Sequence, residues 1–333
     1  MNRKIVVFTM SPRQSQFEVD RLVAEAGKKG IGVNRALYRE LSFDIGRTQG
    51  SARTFVRGEE LTAENTLGLW FRVAGTKSGK YTEARNLAIR ILRRRNDGQA
   101  RSARTNDIFC VNEKGYLGWT RMGKIAQHGV FLENNIPVVP TKIFYTREQI
   151  LSEAWEYPVI AKHERGYQGK SVRKFENKKD MEDFVNKINE KNLGMFLWQK
   201  YLPTKWDIRV VIVDGRAIGA MKRSAVGEEF RSNFSLGGEV ERWNLSEEER
   251  DLAEKVAKVC GLDYGGVDIM KGPKSLVLRQ AQDTPFEERG LYREEDYDNY
   301  ILEVNRQCQF QGFEKATGIN VAKKIVEMIV KRA

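Results

Sequence analysis

Asp268 sits in Gly265-Gly266-Val267-Asp268-Ile269, and Glu303 and Asn305 sit in Tyr300-Ile301-Leu302-Glu303-Val304-Asn305. In both runs an oxygen donor interrupts an apolar, β-branched stretch. Residues two apart on a strand share a face, so Glu303 and Asn305 point the same way. Two carboxylates and an amide oxygen on facing strands suit Mg²⁺, a hard cation that shares its oxygen shell with phosphates. Taken singly, an acid at a strand end serves equally well as a cap or an ion-pair partner. A triphosphate site also needs cations and a Gly-rich turn. Lys162 ends an apolar run, Gly166-Tyr167-Gln168-Gly169 follows it, and Arg231 and Asn233 lie in Phe230-Arg231-Ser232-Asn233-Phe234. Neither G-x-x-x-x-G-K-[ST] nor G-x-G-x-x-G occurs.

The elements that must position these residues read as follows. Ile5–Phe8 and Leu67–Val73 are strands; Phe17–Ala26 and Tyr81–Arg95 have helical spacing, giving a small α/β layer architecture. Lys124–Asn135 is a helix stopped by Asn134-Asn135-Ile136-Pro137. Tyr157–Lys162 is a strand, Asp180–Asn189 a helix and Phe196–Tyr201 a further strand. Asp207–Val213 and Ala217–Met221 form a hairpin about Asp214-Gly215. Leu245–Val259 is a helix that Asn244 or Ser246 can cap, and Val321–Val330 is a helix with Val321, Ile325, Met328 and Ile329 on one face. Residues 279–299 are polar, nearly free of aliphatics, and lie between strands at Leu276–Leu278 and Tyr300–Val304. They read as an exposed insertion. The resulting division is 1–115, a basic α/β domain; 116–195, carrying the lysines and the Gly loop; and 196–333, carrying the acids and the insertion.

Hydrophobic content of 41% in 333 residues allows proper cores and excludes a disordered chain. No apolar run approaches a membrane span, and Ile5–Phe8 is too short for a signal peptide. Three cysteines cannot all pair and two histidines leave little room for a His-based zinc site or a triad. Reduced thiols and a cytoplasmic location are the simplest account. Residues 1–130 hold 24 Lys+Arg against 12 Asp+Glu, and residues 131–333 hold 33 against 33, so the whole excess of +12 lies in the first part. Its densest run goes from Arg85 through Arg90 and Arg93–Arg95 to Arg101 and Arg104. This is either a solvated helix face or a docking surface for an acidic peptide, metabolite or RNA. No aromatics interleave with it, which disfavours nucleic acid.

The order of these motifs resembles the ATP-grasp superfamily, and within it the RimK-type glutamate ligases and their relatives in lysine biosynthesis and coenzyme glutamylation. The resemblance runs from about residue 115 to the C-terminus. Lys124 and Lys162 match the two nucleotide lysines, and Gly166, Gln168 and Gly169 match the loop over the phosphates. Gln199, Lys200 and Tyr201 match the adenine hinge, and Asp207 the ribose contact in Asp-Ile-Arg. Arg223 belongs to the Ala220–Arg223 run facing phosphate and acceptor; Arg231, Ser232 and Asn233, followed by Gly237-Gly238, match the next. Asp268, Glu303 and Asn305 match the Mg²⁺ ligands. The implied fold is α/β (α+β), an ATP-grasp fold behind an N-terminal pre-ATP-grasp α/β domain.

What the resemblance implies is an ADP-forming carboxylate–amine ligase that works through an acylphosphate, with ATP and one or two Mg²⁺ ions, Mn²⁺ being an admissible substitute. Lys162, Arg223 and Arg231 are the expected catalytic cations. Glutamate is the favoured donor, with an amine or carboxylate acceptor such as an acidic peptide or protein, and the relatives suggest a homo-oligomer. Two other readings stand beside it: a ligase for another small metabolite, and a non-catalytic ribosome- or RNA-associated binder, against which the intact oxygen-donor trio argues. Departures from the family pattern are Gln199-Lys200 where Gln-Glu is usual, Lys170-Ser171 in the Gly loop, Arg306-Gln307-Cys308-Gln309 where Ser-Ser-Pro-Gly is usual, and the 279–299 insertion. The 306–309 loop borders the acceptor site, so acceptor identity is what the pattern carries least.

Overall fold

A computed structural model describes residues 3–46, 52–73, 79, 81–93, 108–119, 123–166, 171–226, 238–274 and 297–333. Tyr167–Lys170, Arg231–Asn233, Leu276–Leu278 and the Arg94–Arg104 part of the basic run fall outside them.

The first sheet is parallel. It contains β1 (Lys4–Thr9), β2 (Gly32–Leu37), β6 (Thr66–Phe71) and β7 (Phe109–Cys110) in the order β2-β1-β6-β7, with α1 (Gln16–Gly27) and α2 (Thr82–Leu92) as crossovers. Buried Ile5, Val6, Val7 and Phe8 make β1 apolar on both faces, as a covered parallel strand requires. A small antiparallel ribbon of β3 (Leu41–Asp44), β4 (Arg53–Val56) and β5 (Glu59–Glu60) inserts between β2 and β6. Helix α2 stops at Leu92 rather than Arg95: Arg93 is already extended (φ −67°, ψ 147°), where a run of three arginines would repel itself on a helix. Arg85 is not on the surface either. It is buried with its guanidinium 3.8 Å over the ring of Tyr116, on α3 (Glu113–Gly118).

The second sheet, in the order β10-β9-β11-β8, joins β8 (Thr141–Ile143), β9 (Val159–His163), β10 (Val172–Phe175) and β11 (Phe196–Lys200). It follows α4 (Lys124–Glu133) and carries α5 (Arg147–Ser152) and α6 (Lys178–Lys187). The third sheet is antiparallel, β14-β13-β12-β15-β16, from β12 (Trp206–Val213), β13 (Arg216–Ser224), β14 (Glu239–Trp243), β15 (Tyr264–Pro273) and β16 (Tyr297–Asn305). Asp214 (φ 55°) and Gly215 (φ 72°) turn the β12–β13 hairpin, the two left-handed positions of a tight turn. Strand β16 begins at Tyr297, so residues 297–299 do not belong to a loop. Asn299 and Tyr297 pair with Lys271 and Pro273 of β15, and this ladder satisfies backbone groups that a loop would leave to water.

Helix α7 (Glu247–Val259) lies against the third sheet, with α8 (Gln311–Thr317) and α9 (Val321–Arg332) closing the chain. The expected apolar face of α9 is buried with Ile5, Val7 and Trp70 of the first sheet and with Val211 and Val213 of the third. Each such side chain contributes about 1.5–3 kcal/mol on burial. The approach is close: a Cβ on Gly68 would meet Ile329 Cγ2 at 2.8 Å. Ser246, not Asn244, caps α7; its side chain accepts from Glu249 N (3.1 Å), and Glu249 accepts from Ser246 N (3.0 Å) and Trp243 Nε1 (2.9 Å). Ser246→Ala is expected to cost about 1 kcal/mol, read as a lower urea midpoint at unchanged slope. No helix among the described residues is long and apolar enough to cross a membrane.

Candidate active site

The register of the third sheet gathers charge on one face. Asp207 lies opposite Arg223, Arg209 opposite Asp268, and Asp268 opposite Glu303. Register partners share a face, and residues 207 and 209 are two apart, so all five project together. Arg209 holds Asp268 with two bonds, Nε to Oδ1 at 2.7 Å and Nη2 to Oδ2 at 2.6 Å. Arg223 bridges the acids, Nε to Asp207 Oδ1 at 2.6 Å and Nη2 to Asp268 Oδ2 at 2.9 Å. Asp207, Arg223 and Asp268 are buried. Burial alone would raise the Asp268 pKa; the guanidiniums of Arg209 and then Arg223 outweigh it and hold the carboxyl well below the usual range. Arg223 therefore commits Nε and Nη2 to carboxylates.

Glu303 is the exposed member, at 34%, and its Oε2 lies 3.0 Å from Lys124 Nζ. Asn305, opposite Gly266, accepts from Gln307 N at 2.9 Å. Lys124 starts α4 and also donates to Gly166 O (2.9 Å). Glu164 steadies that helix by accepting from Ile125 N at 2.7 Å. Gln127, one turn on, grips the backbone next to Glu303: Val304 N donates to its Oε1 (2.7 Å) and its Nε2 donates to Val304 O (3.2 Å). Burial pulls the Lys162 ammonium on β9 down to about 8, although Glu303, Asp207 and Asp268 oppose the shift.

Gln199, the penultimate residue of β11, is buried. Its Nε2 donates to Thr141 Oγ1 at 2.7 Å, and His128 Nε2 lies 3.1 Å from the same oxygen. His128 Nδ1 faces Lys124 O at 2.8 Å. Gln199 Oε1 is left buried with no hydrogen-bond partner. Lys200 points outward to Glu156 (2.8 Å), and Lys174 stands 4.0 Å over the Tyr201 ring. Gln168, Gly169, Arg231, Ser232 and Asn233 lie outside the described residues.

The 306–309 loop docks on α3 and its C-cap. Arg306 Nη1 donates to Gly115 O (2.7 Å) and Trp119 O (3.0 Å), and Gln307 Nε2 donates to Tyr116 Oη (3.0 Å). Asn112, with positive φ, donates to Tyr264 O (2.7 Å) and Arg306 O (3.0 Å). Cys308 is buried, and burial raises its thiol pKa, which agrees with a structural role. Sequence reasoning passed over Gln127 and Asn112 as site neighbours. A polar residue within an otherwise apolar pattern was the signal available for each.

The site suits a nucleotide and Mg²⁺ on its own chemistry. The donors are all oxygen, the two carboxylates are cross-strand partners, and Gln199 supplies an orphaned acceptor on β11. A profile of the RimK-like ATP-grasp domain matches residues 122–285. Among curated proteins, a probable alpha-L-glutamate ligase of Rhodopirellula baltica is 25% identical over 328 residues, covering 97% of this chain and 70% of that protein. A tetrahydromethanopterin:alpha-L-glutamate ligase of Methanosarcina acetivorans is 32% identical over 206 residues, 58% of this chain and 62% of that protein. The solved structure of the ATP-grasp ligase PsnB, complexed with a variant of its minimal precursor, Mg and ADP, superposes with TM-score 0.69 at 19% identity, covering 100% of this chain and 99% of that one.

Proposed function

We propose that the chain is a RimK-like ATP-grasp ligase, a reading that the profile match over 122–285 and the glutamate-ligase relatives support, and that it joins glutamate, or a similar amino acid, to a peptide or amino-acid acceptor by activating a carboxylate with ATP. One observation carries the reading: Asp207, Arg209, Arg223, Asp268 and Glu303 share one sheet face, and Lys124 at the start of α4 meets Glu303 of that face at 3.0 Å. Glutamate is favoured because the curated relatives are named for it. An acidic peptide acceptor is favoured because PsnB is complexed with a precursor peptide and residues 1–130 carry the positive excess. In this reading 1–115 is an N-terminal α/β domain, 116–195 and 196–333 are the two subdomains of the ATP-grasp unit, and the enzyme is a cytoplasmic homo-oligomer.

The chain's residues then divide the work. Asp268, Glu303 and Asn305 would hold one or two Mg²⁺ ions, with Mn²⁺ able to substitute. The bound metal supplies neutralisation of the charge that develops on the transferring phosphoryl group. Glu303, in holding the ion, would give up its contact with Lys124 and leave that lysine for phosphate. Lys162 and Arg231 would bind the phosphate oxygens, with the Gly166–Gly169 segment as the phosphate loop. Gln199 Oε1 accepts from the adenine amine, with Lys200 and Tyr201 completing the hinge and Ser232 and Asn233 lining the phosphates. Asp207 takes the ribose, and Arg223 orients Asp207 and Asp268. A substrate carboxylate oxygen attacks the γ-phosphorus, and ADP departs. The amine nitrogen attacks the acyl carbonyl, phosphate leaves and the amine gives up a proton. Arg231 follows the charge onto the tetrahedral carbon's oxygen. An acylphosphate hydrolyses readily, so closure against water matters as much as charge.

The test is product analysis with Mg-ATP, hydroxylamine and a panel of acids, glutamate first. ADP with a matching hydroxamate names the activated acid; no ADP with any acid or acidic peptide overturns the reading. Lys162 adds a pH signature. With its pKa at about 8, the lysine is charged below that value and neutral above it. Mg-ATP affinity is expected to fall by up to about tenfold per pH unit above 8, read as Kd by calorimetry. A flat profile removes Lys162 from the phosphates.

A further inference from the structure

Two buried polar side chains stand unpartnered at the carboxyl ends of β1 and β6. Arg72 follows β6 directly, is 1% exposed, and its Nη1 makes no hydrogen bond. Thr9 ends β1, is 0% exposed, and its Oγ1 is likewise unpaired. Val7 is registered with Trp70, and Arg72 N donates to Phe8 O (2.9 Å), so Thr9 and Arg72 are the next pair on that face. The rest of the guanidinium is fixed in place. Nε donates to Ser15 Oγ (3.2 Å), Nη2 donates to the carbonyls of Gln307 (3.2 Å) and Cys308 (3.3 Å), and its carbon lies 4.7 Å over the Trp70 ring. Glu18, in the first turn of α1, is buried nearby in sequence, and its carboxylate accepts from Phe310 N at 3.4 Å.

Ser15 is the N-cap of the 12-residue α1, has left-handed geometry and provides no side-chain cap. The first amides of the helix therefore lack that acceptor, beside the free N–H of a buried cation. Arg35 of β2 fastens the connecting loop, donating to Gln14 O (2.9 Å) and Gln16 Oε1 (2.7 Å). The topology points to the same place. The chain leaves β1 for β2 on one side and returns to β6 on the other, so β1 and β6 flank the switch point where open parallel sheets bind ligands. A buried cation with an unmade bond, a buried hydroxyl and a helix N-terminus together favour an anion. The planar fork of an arginine matches a carboxylate. Gln307 and Cys308, which Arg72 holds, come two and three residues after Asn305.

We propose that the carboxyl ends of β1 and β6 form a carboxylate subsite, in which Arg72 Nη1, Thr9 Oγ1 and the first amides of α1 take a non-reacting carboxylate of the ligase's substrate. This rests on the reading of the chain as a ligase and adds where the substrate is anchored. The anchor lies beside the 306–309 loop, and it selects substrates bearing a second carboxylate.

The experiment uses the full chain without nucleotide and measures Kd from thermal shift for L-glutamate, for its fully amidated counterpart, and for an acidic peptide. Wild type is expected to respond to glutamate, to the peptide or to both, and not to the amidated compound; which of them acts assigns the subsite to a free amino acid or to a peptide. Thr9→Val keeps the shape of the side chain and removes only a hydroxyl that makes no bond in the protein. It is expected to weaken carboxylate binding about tenfold, with Mg-ATP affinity within about twofold of wild type. Arg72→Met is expected to abolish carboxylate binding; since Arg72 also braces the 306–309 loop, Thr9→Val decides the matter. A Thr9→Val protein with wild-type carboxylate affinity, or a wild type that no carboxylate shifts, overturns the subsite. If the carboxylate response and its loss in Thr9→Val stand while no ADP is ever released, the ligase reading fails and the subsite survives. If turnover is normal and the acid's KM is unchanged in Thr9→Val, the subsite alone fails.

Discussion

Glu303→Gln is expected to lower ADP release by about a thousandfold or more and to leave the thermal midpoint within about 2 °C of wild type. The two effects separate because of where Glu303 sits. It is the exposed acid of its sheet face, at 34%, and its ion pair is with a Lys124 that is 15% exposed. Such pairs contribute about 0–1 kcal/mol. Glutamine keeps the volume and can still accept from Lys124. What it loses is the charge that would hold a cation against transferring phosphoryl oxygens. ADP release under saturating Mg-ATP and substrate, set beside a melting curve, reads both quantities. A glutamine variant that turns over normally would remove Glu303 from the metal site.

The sequence exposes this acid more readily than its surroundings. Glu303, Asn305 and Asp268 are conspicuous because each breaks an apolar strand pattern, and that pattern depends only on neighbouring residues. The partners of Asp268 are another matter. Arg209 is 59 residues away and Arg223 is 45 residues away, and only the β12–β13–β15 register brings them together. Charge counting fails for a similar reason: Arg85 belongs to a basic run, yet its place is under Tyr116 because the helix turns it inward. Arg72 looks like one more surface cation until β6 is seen to end at the first sheet's switch point. The apolar face of α9 was legible from its spacing, but not that it would pack on both the first and the third sheet. Periodicity gives an element its inner face; it does not say which layer meets that face.

Asp268→Ala is expected to cost about 3–5 kcal/mol, unlike Glu303→Gln, and to abolish ADP release as well. Asp207, Asp268, Arg209 and Arg223 form a charge-balanced set, and Asp268 takes three of its four bonds. Removing it leaves two buried guanidiniums to share one carboxylate, a charge imbalance that the interior screens poorly. The arginines hold the folded-state pKa of Asp268 below its unfolded value of about 3.9. Its contribution is therefore fully present above about pH 4 and is lost as pH falls through the depressed value. The gap in stability between wild type and Asp268→Ala should stay constant from neutral pH down to about 4 and close below it. Denaturant unfolding at several pH values measures that gap. Removing Arg209 as well takes away one of the stranded charges, so Arg209→Ala with Asp268→Ala should be less unstable than the sum of the single changes. Additive losses would mean that the two residues stand independently, and the charged face would then be a coincidence of register rather than one coupled site.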